Sequence, residues 1–72
     1  MRQEWFNPSN GRCYLVELFE DLLGDWVLVR CWAGANRPGN QKMAVMASQA
    51  DAFHQLKSIE ALRRKRGYRR VM

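Results

Sequence analysis

The chain has 72 residues, which is enough for one domain but leaves room only for a small core. Its 47% hydrophobic content excludes a disordered chain, and no apolar run approaches the roughly 18 residues of a membrane span. Twelve Lys and Arg residues against seven Asp and Glu give a net charge of +5, which indicates a polyanionic partner. Because residues 1–5 lack a signal-peptide core, we expect one soluble, cytoplasmic domain spanning residues 1–72.

The first third of the chain is predicted to form a short strand and a long strand, separated by a turn. A short edge strand is expected at residues 3–6. Residues 6–12 contain the pairs Asn-Pro and Asn-Gly, which favour turns. Residues 12–20 are rich in β-branched and aromatic side chains that alternate along the chain, which indicates a strand. One face of this strand carries Tyr14, Val16 and Leu18, and the other carries Cys13, Leu15, Glu17 and Phe19.

A second long strand is predicted at residues 26–32. The connection before it, residues 21–25, is so short that the two strands should be antiparallel neighbours. In that hairpin Cys13 and Cys31 are expected to lie nearly opposite each other. We predict two free thiols, because a reducing cytoplasm disfavours a disulfide and two cysteines at this spacing do not match a metal site.

The apolar period changes from two to 3.6 in the second half of the chain. A loop at residues 33–41, rich in Gly, Asn and Pro, precedes a weaker third strand at residues 42–47. A helix is then predicted from Ser48, a good N-cap residue, to Arg66, with Gly67 directly after its end. The stripe expected to face the sheet consists of Ala52, Phe53, Leu56, Ile59 and Leu62. This order predicts an α+β fold: an antiparallel sheet of three to four strands with one long C-terminal helix packed on one face.

The residue patterns of common catalytic and metal sites do not occur in the sequence. His54 is the only histidine, and it lies beside Phe53 without a candidate nucleophile or second base. There is no glycine-rich phosphate loop, and the acidic residues around the hairpin lack the ordered spacing of a calcium site. We therefore expect no enzymatic activity, no cofactor and no bound metal.

A basic run near the C-terminus is the first candidate binding element. Six of the eight residues from 63 to 70 are basic: Arg63, Arg64, Lys65, Arg66, Arg69 and Arg70. A solvated helix end is one interpretation, but one or two cations would suffice to complement the helix dipole. Clustered Lys and Arg side chains are typical of phosphate contact, so we favour binding to nucleic acid.

The end of the second long strand is the other candidate. Trp32 lies there, Arg30 precedes it, and the following loop of small residues carries Arg37. An indole can stack on a base or sugar, and backbone amides in such a loop can approach a phosphate. The alternative is that Trp32 belongs to the core or its rim. Exposure of Trp32 on the same face as the basic run would favour nucleic-acid binding.

The order and spacing of these motifs resemble the WGR domain family, especially its small stand-alone bacterial members. The matching segments, within residues 11–70, are Tyr14-x-Val16-x-Leu18, the residues from Leu22 to Arg30, Trp32 with its loop to Gln41, and Lys65 to Tyr68. The resemblance implies an antiparallel sheet with a packed helix. It also implies DNA contact at strand breaks, as in poly(ADP-ribose) polymerases, where the Trp-Gly-Arg signature places a tryptophan near the terminal nucleotide.

The signature in this chain departs from the family pattern. It reads Trp32-Ala33-Gly34, so the contact made by the family's arginine is lost, and Arg37 is the candidate to replace it. Arg30 matches the arginine that commonly precedes the signature tryptophan. Polyanion binding would therefore depend more heavily on the basic run.

Two functions follow as hypotheses. The first is a non-enzymatic nucleic-acid-binding module that prefers DNA to RNA and uses Arg30, Trp32, Arg37 and the basic run. The second is a protein-interaction or assembly module that has lost DNA binding and uses an exposed sheet face carrying Trp26 or Phe19.

Overall fold

The computed structural model describes residues 1–34, 36 and 39–72, and it confirms the α+β fold. Among these residues, five strands form one antiparallel sheet and one helix packs on it. The elements are β1 (Arg2–Phe6), β2 (Cys13–Glu20), β3 (Trp26–Ala33), β4 (Asn40–Met46), α1 (Gln49–Lys65) and β5 (Arg69–Arg70). The strand order across the sheet is β4-β3-β2-β1-β5.

The fifth strand was not predicted. It pairs with β1 through only two residues, Arg69 and Arg70, whose sequence has no apolar alternation. Beyond it the backbone amide of Val71 donates to the carbonyl of Glu4, and the amide of Glu4 donates to the carbonyl of Met72. The C-terminal residues thus line the edge of β1. The β3–β4 connection is also shorter than the predicted loop, because strand pairing includes Ala33 and Asn40–Gln41.

The helix covers the sheet face that carries the predicted row of Tyr14, Val16 and Leu18. The core under it consists of Trp5, Tyr14, Val16, Leu18, Leu28, Ala52, Leu56 and Ile59. Full burial of a Val, Leu or Ile side chain in this core stabilises the fold by about 1.5–3 kcal/mol. Trp26 lies on this face too and packs on Phe53, with ring centroids 6.1 Å apart. Of the two residues expected to mark the exposed sheet face, Trp26 therefore lies on the helix side, whereas Phe19 lies on the opposite side and is 41% exposed.

A buried polar side chain connects β1 to the helix. The Gln3 side-chain oxygen accepts a hydrogen bond from the Trp5 indole at 3.2 Å, and its amide nitrogen donates to the Glu60 carboxylate. Both the indole N–H and the amide are thereby paired inside the fold, as buried polar groups require.

The register of the β2–β3 hairpin separates the two cysteines. Cys13 pairs with Ala33, and Cys31 pairs with Leu15, so the cysteines are offset by two residues and do not lie opposite each other. Both are free thiols, Cys13 exposed and Cys31 half-buried.

The helix begins where the sequence predicts, but its sheet-facing stripe differs from the predicted one. The Ser48 hydroxyl accepts a hydrogen bond from the Asp51 amide at 3.1 Å, which caps the first turn. Ala52, Leu56 and Ile59 are buried, but Leu62 is 41% exposed. The stripe continues four residues after Ile59, so Arg63 takes the position that the sequence pattern assigned to Leu62.

Candidate nucleic-acid interface

The end of α1 is closed by a chain reversal that returns Tyr68 to the sheet. Gly67 has a φ of 86°, a left-handed conformation that glycine adopts without strain. The Gly67 amide donates to the Arg64 carbonyl and the Tyr68 amide donates to the Arg63 carbonyl, the two bonds of a Schellman motif. As a result the Tyr68 ring meets the Tyr14 ring edge to face, with centroids 6.3 Å apart.

Asn7 fixes the β1–β2 turn against this helix end. Its side chain is buried, and its amide nitrogen donates to the Arg66 carbonyl at 3.1 Å. Its oxygen accepts from both the backbone amide and the hydroxyl of Ser9. The turn that carries Asn10 and Arg12 is therefore held beside the end of α1.

Arg63 projects from the helix onto two aromatic rings of the sheet side. Its guanidinium carbon lies 4.2 Å from the centroid of the Tyr14 ring and 4.9 Å from that of Tyr68. The Nε atom is buried and has no hydrogen-bond partner among the described residues. The negative ring faces stabilise the cation where part of its hydration is lost.

Trp32 extends the aromatic cluster toward the edge of the sheet. It pairs directly with Tyr14 in the β2–β3 register, so the two side chains share the helix face. Their rings are stacked, with centroids 6.2 Å apart and an angle of 14° between planes. Trp32 is 38% exposed, which places it at the rim rather than in the core.

These side chains line one groove of about 690 Å³, called the basic groove below. Its lining cations are Arg12, Arg30, Lys42, Arg63 and Arg66; its aromatic residues are Tyr14, Trp32 and Tyr68; its amides are Asn7, Asn10 and Asn40. No Asp or Glu belongs to the lining, and the ion pairs found in the described part of the chain, Arg2–Glu4 and Arg2–Glu17, do not involve it. The groove therefore concentrates positive charge beside aromatic faces.

The structure divides the predicted site residues into two groups. Arg30, Trp32, Arg63 and Arg66 come together in the basic groove. The exposed residues Arg64, Lys65, Arg69 and Arg70 do not line it. Arg64 lies over the Trp5 ring, 5.3 Å from its centroid, and Arg70 donates to the Met72 carbonyl. Arg37 lies outside the described residues.

Sequence reasoning missed part of the groove. Lys42 pairs with Arg30, and Asn40 pairs with Trp32, in the β3–β4 register. Directly paired residues project to the same side of a sheet, so both reach the groove. Correct alignment of the third predicted strand would have located them. Arg12 had no comparable signal, because its place depends on the Asn7 bond to the helix end.

The helix packs on one side of the sheet only and leaves the opposite side uncovered. Its exposed or half-buried apolar side chains, called the open face below, are Phe6, Leu15, Phe19, Cys31, Met43 and Val45. A second, largely apolar cavity of about 500 Å³ lies at its end, lined in part by Phe6, Leu15 and Val71. The fold thus presents a basic groove on one side and an apolar sheet surface on the other.

No model of a known protein family matches the chain, and no curated protein or solved structure matches it either. The similarity to the WGR family stays a prediction based on the residues. Among the described residues, no helix combines the length and the apolar character needed to cross a membrane. The same residues contain no group of three or more His, Cys, Asp or Glu side chains placed to hold a metal ion.

Proposed function

We propose that the protein is a non-enzymatic, cytoplasmic nucleic-acid-binding module that prefers DNA to RNA and binds through the basic groove. The observation that carries this proposal is the lining itself: five cations without a carboxylate, beside the rings of Tyr14, Trp32 and Tyr68. Phosphates pair with clustered cations, and bases or sugars pack on aromatic side chains. Both kinds of contact are available within the same groove.

The electrostatic part of the proposal has a quantitative consequence. Each phosphate that a Lys or Arg neutralises on duplex DNA contributes about −0.9 to the slope of log affinity against log salt. If all five groove cations contact phosphates, the slope should be about −4.5, which is the steepest slope that the groove alone can produce. Contact with the four cations of the 63–70 run that lie outside the groove, Arg64, Lys65, Arg69 and Arg70, would make the slope steeper than this limit.

The test is a fluorescence-anisotropy titration at low and physiological salt with a labelled duplex, the same duplex carrying a nick, and RNA of the same sequence. The double variant Arg30→Gln, Arg66→Gln removes two groove cations and should weaken binding by roughly tenfold per lost contact. The control Lys57→Gln, Arg69→Gln removes the same charge elsewhere and should have a smaller effect. Absence of binding at low salt, or equal losses in both variants, would contradict the proposal.

The WGR-like pattern supports the same surface. Arg30 and Trp32, which match the family's signature tryptophan and the arginine that precedes it, both line the groove, and Gly34 lies in the lining without a side chain to add a contact. Stronger binding to the nicked duplex than to the intact one would support a WGR-like preference for breaks. Equal binding would limit the proposal to general nucleic-acid affinity.

The open face supports assembly as a second candidate function. Met43 and Val45 are 61% and 63% exposed, and they pair with Val29 and Val27 of β3; Val27 in turn pairs with Phe19 of β2. Burial of such a surface between partners would be favourable at any salt concentration. Light scattering after size exclusion at high salt is the test: a monomer over the whole concentration range contradicts self-assembly, and a dimer lost in Val45→Lys supports it.

A further inference from the structure

We infer that the basic groove receives an unpaired nucleotide, so that single-stranded nucleic acid is bound in preference to duplex. This inference rests on the nucleic-acid binding proposed above, and it adds that the bound strand is unpaired. Three features of the groove support it: the partly exposed ring of Trp32, the half-buried cation of Arg63 and the position of the amides.

One aromatic ring of the groove, that of Trp32, is partly exposed and can stack on an unpaired base, whereas Tyr14 is buried beside Trp32 and Arg63. Trp32 and Tyr14 are nearly parallel, and the partly exposed indole forms a flat wall of the groove. Inside a duplex each base is covered above and below by its neighbours and shows only its edges; a face is exposed only at the ends. An unpaired base can instead leave the strand stack and lie against an aromatic ring. A partly exposed Trp32 stacked on a buried Tyr14 therefore suits a single strand.

The central cation lies in a recess. Arg63 is half-buried between Tyr14 and Tyr68, and Tyr14 beneath it belongs to the core. Phosphates on the convex surface of a duplex are met by cations that project outward, whereas a flexible strand can bend its backbone into a recess. The volume of about 690 Å³ also falls in the range of about 300–1,000 Å³ typical of small-ligand sites. That space suits a nucleotide rather than a segment of duplex.

The amides of the groove are placed for base edges. Asn10 and Asn40 line it together with Trp32. Asn40 offers both a donor and an acceptor, the combination that pairs with the edge of a base, and Asn10, whose oxygen accepts from the Arg12 amide, offers its NH₂ donor. On an unpaired base the Watson–Crick edge is available for such contact, and in a duplex it is occupied by the partner strand. Ring stacking, phosphate contact and edge contact can thus act on one nucleotide.

The experiment compares three labelled probes with the same number of phosphates: oligothymidylate, oligouridylate and a DNA hairpin. We expect at least one single strand to bind tenfold or more tighter than the hairpin at equal salt. The two single strands differ in the sugar and in the thymine methyl group, and tighter binding of either one than of the hairpin supports the inference. Trp32→Leu should weaken single-strand binding about 5- to 150-fold, the equivalent of one lost stacking contact.

A conservative variant separates stacking from folding. Trp32→Phe keeps an aromatic face, so it should retain most of the affinity while losing the ligand-induced quenching of tryptophan fluorescence, since Trp5 and Trp26 lie outside the groove. Circular dichroism checks that both variants fold. The inference is overturned if the hairpin binds as tightly as the single strands. If the double variant Arg30→Gln, Arg66→Gln then weakens the binding of both, the proposed function still stands. Failure of all three probes at low salt overturns both.

Discussion

The guanidinium carbon of Arg63 lies 4.2 Å from the centre of the Tyr14 ring, at the position where the buried stripe of α1 reaches the last turn of the helix. Ala52, Leu56 and Ile59 occupy the earlier positions of that stripe and are buried. An arginine at this position puts a charge, and a buried Nε that has no hydrogen-bond partner among the described residues, in line with the apolar stripe. If the groove binds nucleic acid as proposed, we expect this position to contribute more to binding than to stability.

Replacement of Arg63 by methionine should separate these two properties. The buried, unpaired Nε of Arg63 destabilises the fold by about 1–3 kcal/mol, and Arg63→Met removes this penalty. The same substitution removes two cation–π contacts, each of which stabilises the fold by about 0.5–2 kcal/mol. Because these terms oppose each other, the free energy of unfolding should change by no more than about 3 kcal/mol. Nucleic-acid affinity should fall tenfold or more. Urea denaturation and anisotropy measure the two quantities.

A control for this substitution is available one residue along the helix. Arg64 also lies over an aromatic ring, that of Trp5, but does not line the groove. Arg64→Met should therefore remove the same charge with a smaller loss of affinity. If the two variants bind alike, or if Arg63→Met binds as well as the original chain, Arg63 is not part of the interface.

The glycine that reverses the chain after α1 gives a second prediction. Gly67→Ala forces a side chain into a left-handed conformation, which costs about 1–2 kcal/mol, while its Cβ would meet only the Asn7 amide at 3.8 Å or more. Since the turn positions Tyr68 beside Arg63, affinity should fall together with stability. Gly24→Ala is the matched control: its φ is 84° and its Cβ would meet nothing within 4 Å, so it should lose similar stability and keep its affinity.

Local periodicity predicted the elements of the fold but not the contents of the groove. Alternation located β2 and β3, and the change of period with Ser48 and Gly67 located α1. Leu62 was assigned to the sheet side because it is apolar, yet the observed spacing of four, three and four residues selects Arg63. A charged residue in an apolar stripe is invisible to a search for apolar periodicity.

The remaining errors have a common cause in strand pairing. Strand register determines that Cys13 is offset from Cys31 and that Lys42 lies beside Arg30. The residues of one strand taken alone do not specify that register. The two-residue strand β5 exists because α1 ends beside β1, a tertiary effect. Residues far apart in the chain thus meet in the groove through pairing that only the folded sheet defines.

The buried Gln3 gives a prediction about stability alone. Gln3→Leu has a similar size but leaves the Trp5 indole N–H without its acceptor and the Glu60 carboxylate without its donor. Loss of these partners should lower the free energy of unfolding by about 1–3 kcal/mol in urea denaturation. Because Gln3 does not line the groove, affinity at a temperature where the variant is folded should not change. Gln41→Leu, at an exposed position of β4, is the control and should change stability by less than about 0.5 kcal/mol.

Two asparagines of the groove allow charge to be tested separately from structure. The Asn10 oxygen accepts a hydrogen bond from the Arg12 amide, and a carboxylate can accept the same bond. Asn10→Asp therefore adds a negative charge to the groove without removing a contact. The Asn7 nitrogen donates to the Arg66 carbonyl, so Asn7→Asp adds the same charge and loses that bond.

Both substitutions should weaken nucleic-acid binding and make the salt slope shallower by about one unit, since each offsets one cation of the groove. Only Asn7→Asp should also lower the free energy of unfolding, by about 1–3 kcal/mol, because a carboxylate cannot donate to the carbonyl of Arg66. Anisotropy over a salt series and urea denaturation of each variant give the two readings. An Asn10→Asp protein that folds normally and keeps its full affinity would show that phosphates do not enter this groove, whatever the effect of Asn7→Asp.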